Sequence, residues 1–120
     1  MADNIIKTKS FNFALRIIKL FQFLKNDKKE YVLSKQLLRS GTAIGALIRE
    51  SEQAESKKDF IHKLAIAQKE ANETDYWLEL LFQSNYLSET QFKSIKSDIV
   101  EINKILASII ITSKQKLSFT

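Results

Sequence analysis

The sequence has no cysteine, no proline, two glycines and one histidine among its 120 residues. Without cysteine the chain holds neither a disulfide framework nor a thiolate-ligated zinc or iron–sulfur centre. Without proline, and with glycine confined to Gly41 and Gly45, it is short of the residues that turn one strand into the next, and no sustained alternation of apolar and polar residues is present. These absences point to an all-α chain. No apolar run approaches the roughly 18 residues of a membrane span, and the opening Met-Ala-Asp-Asn-Ile-Ile-Lys lacks the apolar core of a secretory signal. A cytoplasmic protein with no membrane partner is the expectation. The lone histidine, His62, also limits chemistry. Asp59-x-x-His62 has the spacing of an element used in di-metal bundles, but such sites need that element on two helices and two further carboxylates. No serine or threonine sits in a nucleophile elbow. Neither an enzyme nor a metal or cofactor site is expected.

What the chain does have is helical periodicity. Ala14, Ile17, Ile18, Phe21 and Leu24 recur at three- and four-residue spacing, which predicts a first helix over about residues 8–25. Phe13, Leu20 and Phe23 fall outside that stripe, either as scattered surface apolars or as a subunit interface. Asp27 and Glu30 have capping-box spacing, so a second helix is expected over about residues 28–52, with Leu37, Gly41, Ile44 and Ile48 on one face. A glycine inside a helix costs about 1 kcal/mol relative to alanine. Gly41 and Gly45, one turn apart, therefore mark a close helix crossing; no strand precedes them and no Gly-Lys-Ser/Thr follows, which argues against a phosphate loop.

Ser56 and Asp59 resemble a second cap, opening a third helix over about residues 57–83. Its seam, Phe60, Leu64, Ala67, Ala71, Thr74, Leu78 and Leu81, has the three-four spacing of nearly parallel bundle helices. Trp77 lies beside that seam with Glu70 and Glu73 and is expected to be half-buried over these carboxylates. Ser88 and Gln91 form a capping box for a fourth helix over about residues 89–114, with Phe92, Ile95, Ile99, Ile102, Leu106 and Ile109 as its seam. The reading is one domain, an antiparallel up-and-down four-helix bundle. Val100, Ala107 and Ile111 form a second apolar stripe on the fourth helix. Paired with Phe13, Leu20 and Phe23, they predict a homo-oligomer whose unlike contact surfaces close a ring.

Charge is uneven. Residues 1–50 hold ten Lys/Arg against four Asp/Glu, residues 51–90 four against eight, and residues 91–120 five against two. Lys7, Lys9, Arg16, Lys19, Lys28, Lys29, Lys93, Lys104, Lys114 and Lys116 are candidates for a basic nucleic-acid surface, or serve only to solubilise the protein. Glu50, Glu52, Glu55, Glu70 and Glu73, with Arg39 and Arg49, form either a solvated acidic face or an interhelical ion-pair network. No aromatic platform of the RRM type is evident, so sequence preference toward RNA is expected to be weak.

The stretches Gln36-Leu37-Leu38-Arg39-Ser40-Gly41-Thr42-Ala43-Ile44-Gly45-Ala46, Arg49-Glu50, Ala54 to Leu64 and Ile66 to Leu78 resemble one bacterial signature. It belongs to the small four-helix-bundle proteins encoded in intervening sequences of large-subunit ribosomal RNA genes, sometimes labelled ribosomal proteins. Gly41, Gly45, Arg49, Glu50, Glu55, Glu70, Glu73 and Trp77 keep that pattern, whereas Ala43 and Leu47 stand where the family usually has serine and asparagine. The resemblance implies a bundle that assembles as a ring, commonly a homopentamer. It also implies kinship with accessory proteins of diversity-generating retroelements, whose basic outer surfaces engage RNA and a reverse transcriptase. A non-enzymatic module that binds RNA or a ribonucleoprotein follows from it, with a protein-only scaffold as the alternative.

Overall fold

Each of the three interhelical turns is closed by a polar side chain, and these closures set where the helices begin. The structure is a computed structural model that describes residues 2–118, with side chains from Ile5 onward. Its elements are α1 (Ala2–Asn26), α2 (Leu33–Ser51), α3 (Lys57–Gln83) and α4 (Glu89–Ser118), with no strand among the described residues. At α3, the Asp59 N–H donates to Ser56 Oγ at 3.1 Å while the Asp59 carboxylate accepts the Glu55 N–H at 3.2 Å. At α4, Ser88 and Gln91 exchange hydrogen bonds of 2.9 and 3.1 Å, a reciprocal capping box as expected.

The α1–α2 turn differs from expectation. Lys29 takes a left-handed conformation (φ 56°) that stops the chain from running directly into a second helix. Glu30 then caps α2 alone: its carboxylate accepts the N–H groups of Val32, Leu33 and Ser34 at 3.0, 3.1 and 2.6 Å. The Ser34 hydroxyl donates back to the Glu30 carbonyl at 2.9 Å. Asp27 takes no part in this cap, and α2 starts at Leu33 rather than near Lys28. Burial of Glu30 pushes its pKa up, but the hydrogen bonds from Ser34, Val32 and Leu33 together outweigh it and hold the carboxyl below its ordinary 4.5.

Links this short reverse the chain at every turn, so neighbouring helices run antiparallel and α4 closes against α1. The bundle measures 52 × 22 × 20 Å. On α3 the expected seam is the buried face, joined by Ile61, with Phe60 half-buried at its start. On α4, Ile95, Ile99, Ile102 and Leu106 are buried as expected, and Ile110 rather than Ile109 completes the row. The first helix is rotated from the expected phase. It begins at Ala2, well before Thr8, and buries Ile6, Ser10, Phe13, Ile17 and Leu24. Phe13, assigned by spacing to a subunit interface, is core at 1% exposure, whereas Ile18 points outward.

Both glycines lie where α1 crosses α2. A Cβ on Gly41 would stand 2.9 Å from both Cγ atoms of the fully buried Ile17, and one on Gly45 would meet the Ser10 carbonyl oxygen and hydroxyl at 3.4 Å. Beside this crossing, the Thr74 hydroxyl donates to Ser40 Oγ at 2.9 Å, a buried polar link between α2 and α3.

Two outcomes follow. Gly41→Ala should lower stability by about 1–2 kcal/mol, because the overpacking cost exceeds the gain in helix propensity of about 1 kcal/mol. Gly45→Ala, in ordinary contact, should be neutral or stabilising; urea unfolding of both variants checks the contrast, and equal effects would contradict it. Because the Glu30 pKa is depressed on folding, its stabilising contribution is present above the unfolded value and lost as pH falls through the folded one. The stability gap between the wild type and Glu30→Gln should therefore hold at about pH 6 and shrink at about pH 3.5.

Candidate nucleic-acid interface

Four of the cations that were candidates for RNA contact are paired with carboxylates at the surface of the bundle, three of them between helices. Lys7 pairs with Glu52 of α2 at 3.1 Å, and Lys9 pairs with Glu101 of α4. Arg16 bridges α1 to α4, meeting Asp98 at 2.5 Å, Ser94 Oγ at 2.8 Å and the Ser94 carbonyl at 3.4 Å. Lys93 pairs with Glu89 one turn back at 2.7 Å. Lys96 sits between Asp75 and Glu79 of α3; burial lowers its pKa, and the hydrogen bond and charge of Asp75, aided by Glu79, raise it above 10.5 overall.

Lys19, Lys28, Lys29, Lys104, Lys114 and Lys116 remain exposed, with no ion pair among the described residues. Chain direction divides them. Lys28 and Lys29 stand in the α1–α2 turn, Lys114 and Lys116 in the last turns of α4 at the opposite end of the long axis, and Lys19 and Lys104 between. One continuous basic face is therefore replaced by two basic ends. Sequence reasoning passed over Lys25 and Lys35, which flank Lys28 and Lys29 at the first end and are exposed as well; their signal was four lysines within eleven residues.

The acidic residues also separate. Glu70 and Glu73 meet Arg39 along the α2–α3 seam, with Glu70 Oε1 3.5 Å from Arg39 Nη1 and Glu73 in direct contact with Nη2. The Glu70 contact is an ion pair without hydrogen-bond geometry, and that buried oxygen has no hydrogen-bond donor. Trp77 is half-buried here, and its Nε1–H donates to Glu73 at 3.2 Å. Farther along, Glu50 lies 3.8 Å from Lys63. Arg49 stacks over Phe11 of α1 at 5.2 Å, while Glu55 is exposed and contributes its backbone N–H to the α3 cap. The network reading holds for Arg39, Glu70, Glu73 and Trp77, and the remaining acids form separate pairs or meet solvent.

The apolar surface differs from expectation on α1 only. Leu20 and Phe23 are half-buried against the core and line a shallow α1–α4 groove with Arg16, Lys19, Gln91 and Ile95. The outward row is instead Phe11, Leu15 and Ile18, at spacings of four and three. On α4, Val100 and Ile111 are exposed and Ala107 is half-buried between them. His62 is exposed, Asp59 is engaged in the α3 cap, and no cluster of three potential metal ligands occurs among the described residues. No described helix is long and apolar enough to cross a membrane.

Comparison with known proteins adds to this geometry. The family model described as 23S rRNA-intervening sequence protein matches residues 2–108. A crystal structure of a protein of unknown function from the S23 ribosomal protein family of Bacteroides thetaiotaomicron VPI-5482 is 61% identical. It aligns with a TM-score of 0.91 over 92% of this chain and 98% of its own. A search of curated proteins found no match.

The α2–α3 polar seam is testable through the single tryptophan. Glu73→Ala removes the acceptor of Trp77 and one partner of Arg39, and should red-shift Trp77 emission and lower stability by about 1 kcal/mol. Unchanged emission together with unchanged stability would contradict the arrangement.

Proposed function

The chain belongs to the 23S rRNA-intervening sequence protein family, and from that premise we propose a non-enzymatic, self-associating helical module that binds RNA or a ribonucleoprotein through exposed cations. The observation that carries this reading is the set of exposed lysines without an ion pair among the described residues, Lys19, Lys28, Lys29, Lys104, Lys114 and Lys116, left after Lys7, Lys9, Arg16 and Lys93 are paired with the chain's own carboxylates. With a formal net charge of +5, the chain has cations in excess of those its own carboxylates can neutralise. Exposed ammonium groups clustered without carboxylate partners are the footprint of phosphate binding.

Self-association is supported by the two outward apolar rows, Phe11, Leu15 and Ile18 on α1 and Val100, Ala107 and Ile111 on α4. One row carries larger side chains than the other, so unlike surfaces meet and a ring is favoured over a two-fold pair. Five copies is the number that the family resemblance implies. The α1 row also supports a second reading, a protein-binding scaffold in a cytoplasmic setting with no nucleic-acid role.

Titration with structured RNA at two salt concentrations tests the first reading. Affinity should fall with salt at a slope of about −0.7 to −0.9 per phosphate neutralised. Absence of binding at low salt would overturn it. A partner retained at high salt after nuclease treatment would favour the scaffold, since apolar contacts survive screening. Light scattering should find an oligomer that Leu15→Glu combined with Ile111→Glu dissociates; a monomeric wild type at micromolar concentration would refute self-association.

A further inference from the structure

Three exposed aromatics occur among the described residues, Phe11, Tyr31 and Tyr76. Phe11 lies under the Arg49 guanidinium, and Tyr76 packs edge-to-face on Trp77 with ring centroids 5.2 Å apart. Tyr31, 50% exposed, makes no ring contact among the described residues, and Val32 beside it is 70% exposed. The pair stands in the α1–α2 turn between Lys25, Lys28 and Lys29 on one side and Lys35 on the other, all exposed.

Resting on the RNA-binding reading above, we propose that this turn is the contact site for single-stranded RNA, with Tyr31 as a base-stacking platform and Lys25, Lys28, Lys29 and Lys35 holding the flanking phosphates. Two acids share the segment, Asp27 and Glu30. Glu30 is buried and faces inward, its carboxylate occupied by three backbone N–H groups. Four lysines thus meet an incoming strand against the single exposed carboxylate of Asp27. The Glu30 cap also fixes the backbone on either side of Tyr31, which lowers the ordering cost of binding. An aromatic face stacks only on bases that have left a helix, so the site selects single strands over duplex. At the opposite end, Lys57 and Lys58 are interleaved with Glu55 and Asp59, and the exposed aromatics of the described residues lie elsewhere.

Fluorescence anisotropy of the full chain with a labelled polyuridine of about 12 nucleotides, and with a duplex RNA of the same length, tests the site. The wild type should prefer the single strand. Tyr31→Ala should weaken single-strand binding by about 5- to 150-fold and leave duplex binding unchanged, while Tyr31→Phe retains the wild-type affinity. Lys28→Gln combined with Lys29→Gly, glycine fitting the left-handed position, should weaken both RNAs and make the salt slope shallower by about 1.4. If the Tyr31 and Lys28/Lys29 variants bind like the wild type while Lys114→Gln with Lys116→Gln loses affinity, RNA binding stands and this site is overturned. If the wild type binds neither RNA at low salt, the RNA reading fails and the site with it.

Discussion

The close approach of α1 to α2 is the constraint on which the other contacts depend. With hydrogen in place of a side chain at Gly41, the fully buried Ile17 fits into the surface of α2, and one turn later Gly45 faces Ser10 at a distance that would still admit a Cβ. Two contacts one turn apart fix both the separation of the helices and the rotation of α1. That rotation sends Phe13 and Ile17 inward, Lys9 and Arg16 toward α4, and Phe11, Leu15 and Ile18 outward. Ser40, the neighbour of Gly41, reaches across to Thr74 and registers α3 on the same platform. The cost of a helix-interior glycine at Gly41 is offset by packing against Ile17 that a bulkier residue would prevent.

How much of this was legible in the sequence varied by helix, for physical reasons. The α3 seam was readable because its members keep alternating three- and four-residue spacing along the helix, which marks one face to bury. The first helix was misphased because its inward row includes Ser10, a polar residue buried opposite Gly45. An apolar tally instead drew Ile18 inward and left Phe13 outside. On α4, Ile109, Ile110 and Ile111 are consecutive and equally apolar, so composition does not say which one faces the core.

The electrostatic assignments were the least legible. Whether a cation is only a surface charge or also a helix fastener depends on a carboxylate far away in sequence, as with Lys7 and Glu52 or Arg16 and Asp98. Local composition carries no trace of such partners. The Arg39, Glu70, Glu73 and Trp77 group was accessible in part because Glu70, Glu73 and Trp77 share one helix face at spacings of three and four. The fold thus divides the cations into two populations. One is paired with carboxylates, mostly of neighbouring helices, and the other has no ion pair among the described residues and gathers at the two ends of the bundle, with Lys19 and Lys104 between.

That division is the central claim of the functional account, and acylation footprinting of lysines, read by mass spectrometry with and without single-stranded RNA, tests it most directly. The account has Lys28 and Lys29, which form no ion pair among the described residues, labelled readily in the unbound protein and protected when RNA is added, while Lys9 and Lys96 stay slow in both states. RNA-dependent protection confined to Lys9 and Lys96, with Lys28 and Lys29 labelled equally in both states, would contradict it.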